Sequence, residues 1–305
     1  MKIAFLYPGQ GSQQAGMGAE LLHDEEVSAL CDRCASAADV DLRHLLTNAT
    51  DDELRLTQHA QPALTFMGVA LTLLLARAGH RPDAAAGHSV GEYGALAAAG
   101  AVEPPAVIKA VAERGRAMAD AAPAGTTSMS AVLGLSPEQV EGALAGMSEA
   151  WPANYNTPSQ TVIAGTTAGL EAATKKLQEA GAKRVIPLNV SAAFHTPLMA
   201  PAAERLRAAL DRIEWRAPRI TVMANLTGRP HLGGDRIPHV LEQQLRSPVR
   251  WAACVQALVE DGCDVFVEVG PKRALTGMMK ELAPGKKAVS VATPAAVSDF
   301  SGLIQ

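Results

Sequence analysis

The chain has 305 residues, 48% hydrophobic and 19% charged, with 27 Lys and Arg against 31 Asp and Glu. That is length enough for one large domain carrying an insert, or for two domains. The net charge of −4 argues against a nucleic-acid binder, whose phosphate contacts need a basic excess. Aromatics make up only 4%, so Ala, Val and Leu must fill the core.

In chain order, the apolar run Ile3 to Tyr7 ends at Pro8-Gly9 and predicts a buried first strand rather than a signal peptide. Helices are expected at 25–38 and 60–78, the second with Leu64, Met67, Leu71, Leu74 and Leu75 on one face and Gly79 and Pro82 beyond its end. Its apolar core, Ala63 to Ala76, is broken by Thr65 and Thr72 and reads as too short to span a membrane. A brief strand at 84–86 leads into a helix ending at Ala99, and another helix covers 104–121. Strand, tight turn and helix in alternation imply a parallel sheet with helices on both faces.

The pattern changes near Pro123-Ala124-Gly125. A strand at 128–135, a helix from Pro137 to Met147, a hairpin of 153–156 with 161–164, a helix at 167–180 and a strand at 183–190 make a β-α-β-β-α-β unit. The expectation is a ferredoxin-like small subdomain at 126–191 inserted into a large α/β hydrolase-like subdomain made of 1–125 and 192–305. The remainder predicts a helix at 198–212, a strand at 219–225, helices at 236–245 and 251–261, a strand at 264–269, a helix at 271–282 and a strand at 287–292.

Of the four cysteines, Cys31 and Cys34 have CxxC spacing, but they fall inside a helix with no second Cys pair or His pair nearby. They read as packed helix residues, and no metal is expected. Gly87-His88-Ser89-Val90-Gly91 fits G-x-S-x-G, in which two glycines let a strand turn sharply into a helix and leave the serine hydroxyl exposed. The free N–H groups of that helix start, Val90 above all, would face a carbonyl oxygen turning negative. Pro8-Gly9-Gln10-Gly11-Ser12-Gln13 lacks the spacing of a phosphate loop but lies beside the elbow in a parallel sheet, so it could supply a second donor. Among eight histidines, His195 sits in a small-residue loop after a strand, while most of the others lie in polar stretches that read as exposed. His88, adjacent to the serine on a sharp turn, is expected to support the elbow. No acid at a strand end between Ser89 and His195 completes a hydrolase triad, since Asp120 falls at a helix end. Arg114 on the next helix reads either as a surface cation or, turned into a cleft, as a bidentate partner for a substrate carboxylate.

With these residues in view, the chain resembles the malonyl-CoA:acyl carrier protein transacylase family, the acyltransferases of fatty acid and polyketide synthesis. The resemblance is carried by Pro8 to Gln13, Gln61-Pro62-Ala63, Gly87 to Tyr93, Arg114-Gly115, Asn154 to Gln160, Ala193 to Met199, Gln244-Leu245 with Ser247 to Trp251, and Glu268 to Pro271. These blocks span almost the whole chain in the family's order. The resemblance implies Ser89 as acyl-accepting nucleophile and His195 as its base, oriented by the main-chain carbonyl of Gln244. It also implies an oxyanion hole from the N–H groups of Gln10 and Val90, Arg114 on the malonyl carboxylate, and Gln61, His88, Asn156, Phe194 and Gln244 around the site. Val90 and the run Ala193-Phe194-His195 go with malonyl rather than methylmalonyl, because Phe194 would crowd a branch. Val90 stands where the family more often has Leu, and Thr196 where it more often has Ser.

The expected function is therefore malonyl transfer from malonyl-CoA to the phosphopantetheine thiol of an acyl carrier protein, by a cytoplasmic monomer with no cofactor, no nucleic acid and no membrane partner. A trans-acting polyketide acyltransferase, a serine acyl hydrolase and an acyltransferase-like scaffold remain as alternatives. Two groups of cations, Lys175, Lys176, Lys183 and Arg184, and Arg250, Lys272, Arg273 and Lys280, are candidate docking surfaces for an acidic carrier.

Overall fold

The computed structural model describes residues 1–121, 125–190 and 192–304; Pro123 and Ala124 of the first expected boundary, and Ser191 of the second, lie outside the described residues. Strand β1 (Ile3–Tyr7) is followed by helices α1 (Glu25–Ala38), α2 (Leu42–Thr47), α3 (Asp51–Leu54) and α4 (Thr57–Arg77). Then come β2 (Ala84–Gly87), α5 (Gly91–Ala98) and α6 (Pro104–Asp120). The middle of the chain forms β3 (Thr127–Leu133), α7 (Pro137–Leu144), β4 (Ala150–Thr157), β5 (Gln160–Thr166), α8 (Thr167–Glu179) and β6 (Arg184–Pro187). After α9 (Ala200–Leu210) follow β7 (Thr221–Ala224), β8 (Arg229–Pro230), α10 (Ile237–Leu245) and α11 (Trp251–Glu260). The chain closes with β9 (Val265–Val269), α12 (Ala274–Leu282), β10 (Lys287–Val291), α13 (Pro294–Ser298) and α14 (Phe300–Ile304).

Two sheets result, of six strands in the order β10-β9-β1-β2-β7-β8 and of four in the order β4-β5-β3-β6. The larger is parallel except for the short antiparallel β8. Its central strand β1 is buried on both faces: Phe5 and Tyr7 join the core under α4 and α6, while Ala4 and Leu6 join a second core with Trp251, Cys254 and Leu275. A parallel strand covered on both sides reads as an unbroken apolar run, which is why Ile3 to Tyr7 shows no alternation.

The smaller sheet is antiparallel in all its pairings and carries α7 and α8 on one face, through Val132, Ile163, Leu170 and Leu177. The β-α-β-β-α-β order agrees with the ferredoxin-like arrangement expected for this stretch. Its other face, with Met129, Ala131, Val162 and Ala164, packs into the main core. Main-chain bonds from Tyr155 N to Val249 O (2.9 Å) and from Val249 N to Ala153 O (2.8 Å) tie β4 to the loop before α11.

Two readings need correction. Helix α4 starts earlier than expected, at Thr57, and at 21 residues with mean hydropathy 1.4 it is long and apolar enough to cross a membrane; instead, 78% of its most apolar stretch is buried inside the protein. Pro62 stands inside the helix, at its sixth residue, and the helix continues through it. The strand expected at 183–190 is confined to Arg184–Pro187; Leu188 N still bonds to Met129 O of β3 (2.9 Å), and Leu188 and Val190 turn to the cavity described below. Cys31 and Cys34 are buried free thiols on α1, pushed by burial up to about 11 and about 12, and they act as packing residues.

Candidate active site

Strands β1 and β2 are neighbours with Tyr7 opposite Gly87, so their C-terminal loops emerge side by side at the edge of a parallel sheet, where such folds hold their ligands. The elbow is enforced by close approach. A Cβ on Gly87 would lie 1.9 Å from the carbonyl carbon of Gly91, and one on Gly91 would lie 2.1 Å from Tyr7 O. Between them Ser89 adopts φ +54°, in the left-handed region. His195 stands in the same region at φ +60°, a conformation uncommon outside glycine and costing of order 1–3 kcal/mol in strain.

These two strained residues meet. Ser89 Oγ lies 2.7 Å from His195 Nε2, and His195 Nδ1 lies 2.9 Å from the main-chain oxygen of Gln244. A carbonyl only accepts, so Nδ1 carries the proton and Nε2 is left to accept from the serine. Burial pushes the His195 imidazole down to about 3, and the Arg114 guanidinium acts in the same direction, so the ring is a neutral base. Thr196 fixes the loop by donating from Oγ1 to Ala193 O at 2.8 Å.

Arg114 is fully buried, at 0% exposure. It donates from Nη1 to Gln61 Oε1 (2.8 Å) and from Nη2 to Gln244 Oε1 and Ser89 Oγ (both 3.1 Å), and it lies over the Tyr93 ring at 5.7 Å. Its Nε has no hydrogen-bond partner, and among the described residues no carboxylate forms an ion pair with it, Glu92 acting on it only through space. The surface-cation reading of Arg114 is therefore set aside.

A cavity of about 190 Å³ opens over Ser89 and His195. Gln10, Gln61, His88, Asn156 and Phe194 line it, with Met118, Met129, Val162 and Met278 adding apolar wall. His88 turns its Nε2 to Asn156 Oδ1 (2.9 Å), and burial lowers its basicity. Gln10 donates from its side chain to Thr57 Oγ1 at 3.1 Å. Gln244, expected to line the site, instead lies behind it at 0% exposure. Its side-chain amide is consumed by Arg114, Ser89 O and Glu92.

Sequence reasoning missed three residues. Asn225, directly after β7, accepts from Ser89 N (2.7 Å) and donates to Gly87 O (2.7 Å). Glu92 and His231 pair at 2.8 Å, with side-chain exposures of 0% and 1%. His231 is thus a correction to the reading of most histidines as exposed. The available signals were the place of Asn225 at the end of a parallel strand and a glutamate, Glu92, in an otherwise small and apolar helix.

Fold and site together define an enzyme of the acyl-transfer class: a serine on an elbow, a neutral histidine bonded to it, and a buried cation beside both. The acyl transferase domain family matches residues 4–297. The malonyl CoA-acyl carrier protein transacylase of Bacillus subtilis is 39% identical over 300 residues, covering 96% of this chain and 94% of its own. Among solved structures, the malonyl-CoA:acyl carrier protein transacylase of Xanthomonas oryzae pv. oryzae is 40% identical with a TM-score of 0.93, covering 99% of this chain and 97% of that one. A malonyl-transacylase solved in complex with its type II PKS acyl-carrier protein is 36% identical, with a TM-score of 0.93 and 98% of each chain covered. The chain belongs to the acyl transferase family.

Proposed function

We propose that the protein transfers malonyl from malonyl-CoA to the phosphopantetheine thiol of an acyl carrier protein, in fatty acid or polyketide synthesis. The observation that carries this reading is Arg114, a buried cation with no carboxylate partner among the described residues and with its Nη2 on the nucleophile's oxygen. A cation in that state favours an acyl group that brings its own carboxylate.

In the first half-reaction His195 Nε2 takes the Ser89 proton as Oγ attacks the thioester carbonyl carbon. The N–H groups of Val90 and Gln10 stabilise the oxyanion. The C–S bond then breaks, and the CoA thiolate leaves with the proton from His195. In the second half-reaction the carrier thiol gives its proton to His195, its sulfur attacks the malonyl-serine ester, and Ser89 departs with that proton. The main-chain oxygen of Gln244 steadies the imidazolium at each stage, in the place of a triad acid. Asn156, Gln61 and His88 shape the polar wall, and Phe194 fills the space that an α-branch would need.

On this reading the enzyme is a cytoplasmic monomer that requires no metal or redox cofactor, because side chains already at the site handle every proton and charge moved. The division at 126 and 191 then sets the substrate cleft between a large and a small subdomain. The test is incubation of the pure protein with a panel of acyl-CoAs followed by intact-mass spectrometry. A malonyl adduct that passes to an added holo-carrier supports the reading, and release of free malonate with no carrier product sinks it.

A further inference from the structure

Glu92, on the first turn of α5, is fully buried, yet the acyl-transfer steps give it no part. Its Oε2 accepts from Asn225 N (2.8 Å) and from Gln244 Nε2 (3.0 Å), and its Oε1 meets His231 Nε2 at 2.8 Å. Both amides pass the constraint onward. The Asn225 side chain spans the elbow, from Ser89 N to Gly87 O. Gln244 donates to Ser89 O (3.0 Å), accepts from Arg114 Nη2 (3.1 Å) and holds His195 through its main-chain oxygen.

Hydrogen-bonding capacity decides how Gln244 must point. A carboxylate only accepts and a guanidinium only donates. An amide wedged between them satisfies both in a single orientation, Nε2 toward Glu92 and Oε1 toward Arg114. A glutamine at position 92 would take away the charge that strengthens this bond and leave the direction of the Gln244 amide to Ser89 O and Arg114 alone.

We propose that Glu92, held by His231, is a positioning residue for acyl transfer. It sets the direction of the Gln244 amide and so the aim of the Arg114 guanidinium, and it holds the Ser89 elbow through Asn225. This rests on the roles given above to Ser89 and Arg114. The aim of the guanidinium matters to an acyl group with a carboxylate and little to one without, so the mark of the device is the ratio of malonyl to acetyl loading.

The experiment compares single-turnover loading of Ser89 from malonyl-CoA and acetyl-CoA in the wild type, Glu92→Gln, His231→Leu and His231→Gln, with thermal unfolding of each. In Glu92→Gln malonyl loading falls roughly 10- to 100-fold, the factor carried by one lost charge-assisted hydrogen bond, and acetyl loading falls less. His231→Leu, which strips a partner from Oε1, lowers the ratio in the same direction, and His231→Gln, which keeps an N–H donor, restores most of it. If Glu92→Gln does not fold, the two His231 variants decide the matter. An unchanged ratio in the folded variants overturns the proposal, whatever happens to the absolute rates. A wild type that takes no malonyl on Ser89 overturns the functional reading instead.

Discussion

Arg114 Nη2 donates to Ser89 Oγ across 3.1 Å, joining a cation on α6 to the serine of the elbow that precedes α5, 25 residues earlier in the chain. On the proposed reading, the contact puts the charge that selects the acyl group against the atom that carries it. Arg114→Ala should therefore lose malonyl loading while keeping or gaining acetyl loading. The size follows from leaving a buried charge unpaired, roughly 3–5 kcal/mol, which is a factor of hundreds to thousands. Arg114→Lys should recover only part, since the three N–H donors of a single nitrogen cannot reproduce the planar fork that reaches Gln61 from Nη1 and Gln244 and Ser89 from Nη2. Loading rates with the two CoA esters are the check, and equal losses for both would make Arg114 structural.

The pH dependence has a definite sign. Burial and Arg114 hold the His195 imidazole down at about 3, whereas the unfolded chain titrates near the ordinary histidine value of about 6.5. Between those values the unfolded state binds a proton that the native state does not. Stability therefore falls as pH drops below about 6.5, by up to roughly 1.4 kcal/mol per pH unit for such a group. Urea unfolding between pH 7 and 5 should show a shallower fall in His195→Gln than in the wild type. The loading rate of the wild type should show no inflection of an ordinary histidine near pH 6.5. In Arg114→Ala, with the second-largest cause removed, the acid limb of acetyl loading should move to higher pH.

Glycine substitutions should separate the elbow from the rest of the chain. Gly91→Ala would drive a methyl to 2.1 Å from Tyr7 O, a main-chain atom that cannot step aside. It should cost several kcal/mol or prevent folding. Gly142 and Gly277 lie inside α7 and α12, where a methyl group would meet nothing within 4 Å, so alanine at either should stabilise by about 0.4–1 kcal/mol. Thermal unfolding of the three variants tests both statements.

Local features were legible in the sequence, and distant pairings were not. The elbow is written in five adjacent residues, and β1, α1 and α5 follow from apolar runs and their punctuation. Loop context already set His195 apart from the other histidines, whereas Arg114 stood between a surface cation and a carboxylate partner until the resemblance implied its role. Glu92, Asn225 and His231 escaped because each acquires its meaning from a partner more than 130 residues away along the chain. Burial of His231 could not be read from its polar neighbours, since β8 carries it there through the bond from His231 N to Val222 O. Helices α13 and α14 were missed for another reason: each is only five residues long and offers little periodicity.

Docking of the carrier protein should depend on cations near the cavity mouth. Lys175 and Lys176 lie on α8, which covers the face of the small sheet turned away from the cavity. Exposed Lys272 and Arg273 directly precede Ala274 and Leu275 of the cavity wall, and Arg250 packs over Tyr155 beside Asn154 and Asn156. Reversing Arg250 and Arg273 to Glu should raise the carrier KM at low salt more than reversing Lys175 and Lys176. The difference should fade near 0.5 M salt, where the Debye length is only about 4 Å. Equal effects of the two pairs would remove this surface from consideration.

The central claim, that malonyl rides on Ser89 between two thiols, is tested most directly by intact-mass spectrometry of the wild type, Ser89→Ala and His195→Ala after brief exposure to malonyl-CoA, followed by holo-carrier protein. The account predicts one malonyl mass on the wild type that moves to the carrier, none on Ser89→Ala, and loading slowed by about 10² to 10⁴ in His195→Ala. A malonyl adduct persisting on Ser89→Ala, or carrier malonylation by that variant at the wild-type rate, would contradict it.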